Sequence, residues 1–408
     1  MSKVRIAFFI VVCQLLVWFP ASAQQRVQVQ WAGLSLAGQF DQLPRILPIV
    51  SPLILTDKAF ERRLEDRISD AVRAAAQSNP TVDFVIDRSL VQGDDAYALT
   101  LAIAGESVSY LKVENLIEAS FELQVLVLVG NVSKDPMRQR VVNSYPLRMR
   151  HRMVLSDGLQ PTQEDARRIF ASMLMGDHVA GVGDLVSEWQ TRLSKIKFRE
   201  RQFWISVSPL RFSPESLQQA GMTVDQAASL SFRATSLVEA NLSRAADIPL
   251  VPSTYDGALE QITLNFANRG IIAFRKADPS YIFDVSIFAL RSVSGEQSMS
   301  REKKFLVSYG GGFQLEYLKN DANQQKSSEF SFRMKSVQNV SFIGASIESR
   351  RFDNAAMYAS LVMNFAEQLS TNVIPANTKW LEIAKAESEP KSVQEIVQLL
   401  KKLPSASP

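Results

Sequence analysis

The spacing of apolar residues changes period several times along this chain. In KAFERRLEDRISDAVRAAAQ, Phe60, Leu64, Ile68, Val72 and Ala75 recur every three or four residues, with charged side chains between them. That spacing predicts an amphipathic helix of about 20 residues. Thr56-Asp57 caps its start and Ser78-Asn79-Pro80 stops it. A second such face, with Leu230, Ala234, Leu237, Val238 and Leu242, runs through VDQAASLSFRATSLVEANLSRA, and Thr223 with Gln226 has capping-box spacing at its start. Elsewhere the period falls to two or the runs turn β-branched, bounded by Gly, Asn, Asp and Ser. Strands are expected over 82–90, 96–105, 120–132 and 141–155, and again over 248–253, 280–292, 303–318 and 329–343. Each set is followed by a helix. Thr162 and Asp165 open one that Gly176, Gly181 and Gly183 break in two, and Asp353 opens the other. A helix over 254–269 is expected in the second half alone.

The order strand, helix, antiparallel strands, helix thus occurs twice. It implies an α+β fold of two similar domains, 24–197 and 202–383, each a small, mostly antiparallel sheet packed by helices. The tetrapeptide VSPL precedes the long helix in both halves, at 50–53 and 207–210. Read as the end of a first strand, it places Pro52 and Pro209 at equivalent positions of a duplication. After a polar linker, residues 388–408 include VQEIVQLLKKL, with Val393, Ile396, Val397 and Leu400 on one side. So short a helix is marginal alone and needs a surface, either its own domain or a partner.

Composition adds the compartment. Lys3 and Arg5 precede the apolar run IAFFIVVCQLLVWF, and Ala21-Ser22-Ala23 follows. This is the pattern of a cleaved signal peptide over 1–23, with an apolar run too short to span a bilayer. Cys13 is the only cysteine and lies within it. The exported chain from Gln24 therefore has no disulfide, thiolate ligand or cysteine nucleophile, which suits a bacterial periplasmic protein. It carries 43 basic and 42 acidic residues, a balance that argues against nucleic acid as partner. No other apolar run reaches membrane-spanning length.

Candidate chemistry is sparse. His151 alternates with Leu147, Met149 and Met153 and reads as a half-buried core residue, while His178 lies beside Asp177 near a helix break and reads as a surface or capping residue. Arg148, Arg150 and Arg152 share the opposite face of the strand at 141–155. Such a row needs solvent, carboxylates or a ligand to offset its self-repulsion, and it is the candidate contact for an anionic partner. Ser300 and Lys303 match S-x-x-K, but a hairpin context and the lack of companion motifs argue against a nucleophile there. YGGGF at 309–313 lacks the Lys of a phosphate loop. No zinc-ligand spacing occurs, and no cofactor or metal is expected. Two distant carboxylates would leave no local signature, so a carboxylate-dependent hydrolase stays open as the least favoured reading.

The stretch LEQITLNFANRGIIAFRKADPSYIFDVSIFALRS (259–292) resembles periplasmic CsgG-like domains and the TolB N-terminal domain. In those, a helix and short loop precede an Ala-Asp and a hydrophobic strand, matched here by Ala277-Asp278 and Tyr281 to Val285. This chain inserts Pro279-Ser280 after the Asp. It lacks the TolB propeller and the lipidated cysteine and membrane-inserting strands of CsgG. The resemblance implies a non-enzymatic role in envelope assembly, scaffolding or secretion, with envelope proteins as partners and self-association open. A binding module for an anionic envelope polymer or small ligand is the second reading.

Overall fold

The computed structural model of the 408-residue chain describes residues 26–86, 96–113, 116–156, 159–176, 183–196, 204–246, 250–253, 260–267, 270–298, 303–320, 326–344, 354–372 and 377–384. The expected signal at 1–23 and the segment carrying Val393, Ile396, Val397 and Leu400 lie outside them, as do His178 and Ser300.

The first half opens with β1 (Val27–Ala37), a strand that the spacing of apolar residues did not announce. A bulge between Trp31 and Gly33, where Gly33 takes a φ of 109°, flips the alternation, so Trp31, Leu34 and Leu36 all reach the same core. Two short helices follow, α1 (Leu43–Ile46) and α2 (Val50–Leu55), then the long α3 (Lys58–Ser78). The Asp57 side chain accepts the Phe60 N–H at 3.0 Å to cap α3. Strands β2 (Val82–Val85), β3 (Tyr97–Val113), β4 (Leu116–Asn131) and β5 (Val141–Ser156) come next. They lead to α4 (Gln163–Met175) and α5 (Leu185–Lys195). The Thr162–Asp165 capping box forms as its spacing predicts, and α4 ends at Gly176 in the left-handed region, φ 73°.

The second half repeats the scheme. It runs β6 (Ile205–Val207), β7 (Arg211–Phe212), α6 (Pro214–Ala220), α7 (Val224–Ala246) and β8 (Leu250–Val251). After an inserted hairpin, β9 (Gln261–Phe266) and β10 (Gly270–Arg275), come β11 (Tyr281–Ser298), β12 (Lys303–Asn320), β13 (Lys326–Gly344), α8 (Asn354–Asn372) and α9 (Thr378–Ala384). β1 runs parallel to β2 and β3; β6 runs parallel to β8 and β11. The strand orders β2-β1-β3-β4-β5 and β8-β6-β11-β12-β13 are the same. Even a bulge recurs, between Ile103 and Gly105 in β3 and between Ile287 and Ala289 in β11. The fold is α+β, with two mixed sheets of one topology.

Two expectations are overturned. VSPL does not mark the repeat. Val50–Leu53 begins α2, where Pro52 occupies a first-turn position whose missing N–H costs no helical bond, whereas Pro209 lies between β6 and β7. Their topological places differ, so the echo does not mark equivalent positions, although the strand order itself recurs. The helix expected over 254–269 is also absent from the described residues there, which form the strand β9. Ile262, Leu264 and Phe266 alternate into a core, and Gly270 at φ 81° begins the return strand.

That hairpin leaves its own half. β9 pairs antiparallel with β1 at Ser35–Ala37, extending the first sheet. Ile262, Leu264, Phe266 and Phe274 pack with Ala98, Leu126, Leu128, Trp204 and Val251 in a core that both halves share. The main core of the first half lies between its sheet and α1 to α5, where the rings of Trp31 and Trp189 meet at 5.5 Å. Each fully buried Leu, Ile or Phe there contributes about 1.5–3 kcal/mol. The other face of the first sheet is covered by α7 and α8, which also cover the second sheet. Sandwiched in this way, α7 buries seven consecutive residues, Ala234 to Ala240. The layers run helices, first sheet, α7 and α8, second sheet.

Candidate functional site

The arginine row lies at the joint between the halves. Alternation along β5 turns Leu147 and Met149 into the first core and Arg148, Arg150 and Arg152 toward α7 and α8. Glu122 on β4, the acidic residue in the apolar run SFELQVLVLV, is fully buried beside them. Arg148 approaches its carboxylate to 2.6 Å, Arg150 to 3.4 Å and Arg233 of α7 to 3.2 Å. Arg233 also donates to Ser109 Oγ at 3.1 Å, and Arg150 donates to Ser120 Oγ at 2.9 Å. Arg152 pairs with Glu118 at 3.5 Å.

Burial alone would raise the Glu122 pKa, but the Arg148 and Arg233 guanidiniums hold it down to about 2. Burial and the neighbouring guanidiniums lower Arg150 to about 10, against the pull of Glu122 and Glu367. The compensation that such a row requires is therefore supplied from within the chain. Side-chain exposures of 6% for Arg148, 25% for Arg150 and 46% for Arg152 enclose the first, leave the second half-buried and the third open to solvent. Of the row expected to contact an anion, Arg148 is thus enclosed in the joint, while Arg150 and Arg152 keep part of their surface. A buried guanidinium already held by a carboxylate is not available to a partner.

Further polar contacts stitch the same joint. Arg192 of α5 donates to the Ser243 carbonyl at 3.0 Å and to its Oγ at 2.9 Å, and stacks over Tyr145 at 4.7 Å. Arg244 meets Glu188 at 2.9 Å. His151 is half-buried against Phe121, as alternation predicts.

Two other carboxyls are perturbed. Glu106, just past the β3 bulge, accepts the N–H groups of Ile49 and Val50 at 2.7 Å each, and burial nevertheless pushes it up to about 7. Glu239 of α7 is buried and accepts the Ser253 N–H at 3.0 Å; burial raises it to about 8, against the hydrogen bonds of Ser253 and the nearby Lys276 charge. These carboxyls belong to different cores and do not converge. Among the described residues, no group of three or more His, Cys, Asp or Glu could hold a metal.

Among the described residues, two of the surface clefts have well-defined linings. The larger, about 830 Å³, lies between the β1 bulge and α3, and mixes Lys58, Arg62 and Arg73 with Glu61, Glu65 and Asp66. Leu34 N–H donates to Glu65 Oε2 there at 2.9 Å. The smaller, about 360 Å³, sits where β5, β10 and the approach to β6 meet, and carries Arg140, Arg275 and Lys276 over Trp204. Its residues are scattered in sequence, and no motif links them. Glu122 could have been noticed as a lone acid in a buried strand facing the arginine row.

The second sheet differs from the first on its outer face. Val293, Leu306 and Val337 project there at 69%, 45% and 60% exposure. Their strands pair so that Leu306 and Val293 fall on the same side as Val337, away from the core residues Leu290, Val307 and Met334.

No family model matches the chain, and no curated protein does. Among solved structures, the hypothetical protein CT253 from Chlamydia trachomatis overlaps 42% of this chain and 96% of its own, at 6% identity and a TM-score of 0.22. A minor lipoprotein from Acinetobacter baumannii overlaps 41% and 92%, at 12% identity and 0.21. A neuraminyllactose-binding hemagglutinin homolog from Helicobacter pylori overlaps 51% and 96%, at 13% identity and 0.20. At these scores none of the three assigns this chain a family or an activity.

Proposed function

We propose that this chain is a non-enzymatic protein of the bacterial cell envelope that acts by contact in assembly, scaffolding or secretion. The N-terminal export pattern supports the compartment. Ala277-Asp278, which carries the CsgG-like and TolB-like resemblance, precedes β11, but β9 and β10 stand where that resemblance implies a helix. Among the described residues no helix is long and apolar enough to cross a membrane.

The observation that carries the reading is the open outer face of the second sheet. Its topological counterpart on the first sheet is covered by α7 and α8, whereas Val293, Leu306 and Val337 stand exposed. Exposed apolar side chains grouped on a sheet face mark interaction surfaces. The covered counterpart indicates the matching chemistry, a partner protein presenting a helical surface with an apolar stripe. The segment with Val393, Ile396, Val397 and Leu400 offers a second contact.

The test is affinity co-purification of the tagged full chain from the envelope fraction, beside the V293D/V337D variant. A partner retained by the parent and lost from the folded variant supports the reading. Recovery of the chain in the cytoplasm, or identical partners for both forms, contradicts it.

A further inference from the structure

The outer face of the second sheet has bare backbone at its centre. Gly310 on β12 pairs with Arg291 on β11 and with Val337 on β13, so its missing side chain would point outward beside Val337. A Cβ on Gly310 would meet only the Arg291 carbonyl, at 3.8 Å, and a Cβ on Gly295 would meet nothing within 4 Å. The backbone of both strands therefore lies open beside Val293, Leu306 and Val337. On the same side the ring of Phe288 covers Gly312, and Arg333 lies over that ring at 5.0 Å. Glycine backbone edged by apolar side chains admits the close approach of another element.

The first sheet shows what such a face takes. Its corresponding face is covered by α7 and α8, helices from the chain that follows that sheet in sequence. After the second sheet, α8 is used on the inner face, and α9 packs at β13 with Leu381 in the second core. Residues 385–408 come next. Within them Val393, Ile396, Val397, Leu400 and Leu403 recur at helical spacing, a stripe about 15 Å long at helical rise. A helix so short needs a surface to form, and the sheet presents a face without a cover. The reach is sufficient. β13 is the edge strand of its sheet. The eight residues between Ala384 and Val393 extend to about 26 Å, against about 10 Å across the sheet from β13 to β11.

We propose that the segment 393–403 of this same chain packs as a helix across the outer face of the second sheet, over Gly310 and against Val293, Leu306 and Val337, with its apolar stripe inward. The repeat is thereby closed as the first half is, by helix supplied from the chain that follows. Where the face is also a partner's seat, the partner must displace the segment; that consequence rests on the contact reading.

Photo-crosslinking of the dilute, purified full chain, with the reactive side chain at Val397, tests the docking. Adducts within one chain are expected on peptides containing 288–296, 304–310 or 335–341, and I396D/L400D should abolish them. Hydrogen exchange is the second measurement. In I396D/L400D, amides of 291–296 and 335–341 should exchange about fivefold or more faster than in the parent. Adducts confined to other parts of the chain, adducts only between two copies, adducts that persist in I396D/L400D, or unchanged exchange at both segments would overturn the proposal. Neither measurement involves a partner. A partner lost from V293D/V337D with no such adduct keeps the contact reading and removes the docked segment, and the adduct with no partner does the reverse.

Discussion

Glu122 on β4 and Arg233 on α7 meet at 3.2 Å across the joint between the two halves, 111 residues apart in sequence. With Arg148 at 2.6 Å on the other side, the carboxylate holds a strand of the first sheet against a helix of the second half. Removing one partner of a buried ion pair leaves the remaining charges buried without compensation, which costs far more than the intact pair contributes.

Replacing Glu122 with Gln should therefore lower stability at neutral pH by about 3 kcal/mol. The Glu122 pKa is depressed in the folded chain, from 4.5 to about 2. Its contribution is thus fully present above 4.5 and fades as pH falls toward 2. Urea unfolding of both proteins should show a wide gap at pH 7 and a narrow one near pH 3. A gap that does not change with pH would assign the loss to packing.

Glu239 has the opposite sign. Its folded pKa is raised from 4.5 to about 8, so the folded chain holds a proton that the unfolded chain releases, and stability falls as pH rises through that window. Glu239→Gln keeps an acceptor for Ser253 and removes the ionisation. The variant should equal the parent near pH 4.5 and exceed it at pH 8, read as melting temperature. A variant that is less stable at both values would show that the carboxyl is held ionised.

The seat of the hairpin can be tested by sterics. A Cβ on Gly130 of β4 would overlap the buried ring of Phe274 on β10. Gly130→Ala should cost about 1–3 kcal/mol by overpacking and speed amide exchange across 261–275. Exchange unchanged there would mean that the ring has room to move.

Much of the repeat was legible because its elements depend on local period. The five-residue stripe of α3, the Thr162–Asp165 box and the alternation through β5 each appear in the structure near their expected bounds. β1 was not legible, since its bulge at Gly33 breaks the alternation by which strands are found. The hairpin was read as a helix because QITLNF is short enough to suit either period, and its partner, Ser35–Ala37, is more than 200 residues away. The arginine row was visible, but its meaning was not. Whether a guanidinium faces solvent or Glu122 depends on how the second half folds back over the first sheet, and no local pattern encodes that. The cleft at Arg140, Arg275 and Trp204 was hidden for the same reason.

The central claim is that the outer face of the second sheet is the working contact surface, while its counterpart on the first sheet is internal. Site-specific photo-crosslinking in intact cells tests it most directly, with the reactive side chain placed in turn at Val293, at Val337 and at the exposed Arg63 of α3. The same envelope-protein adduct should form from Val293 and Val337 and not from Arg63. Adducts that are identical from all three positions, or absent from both sheet positions, would contradict the claim.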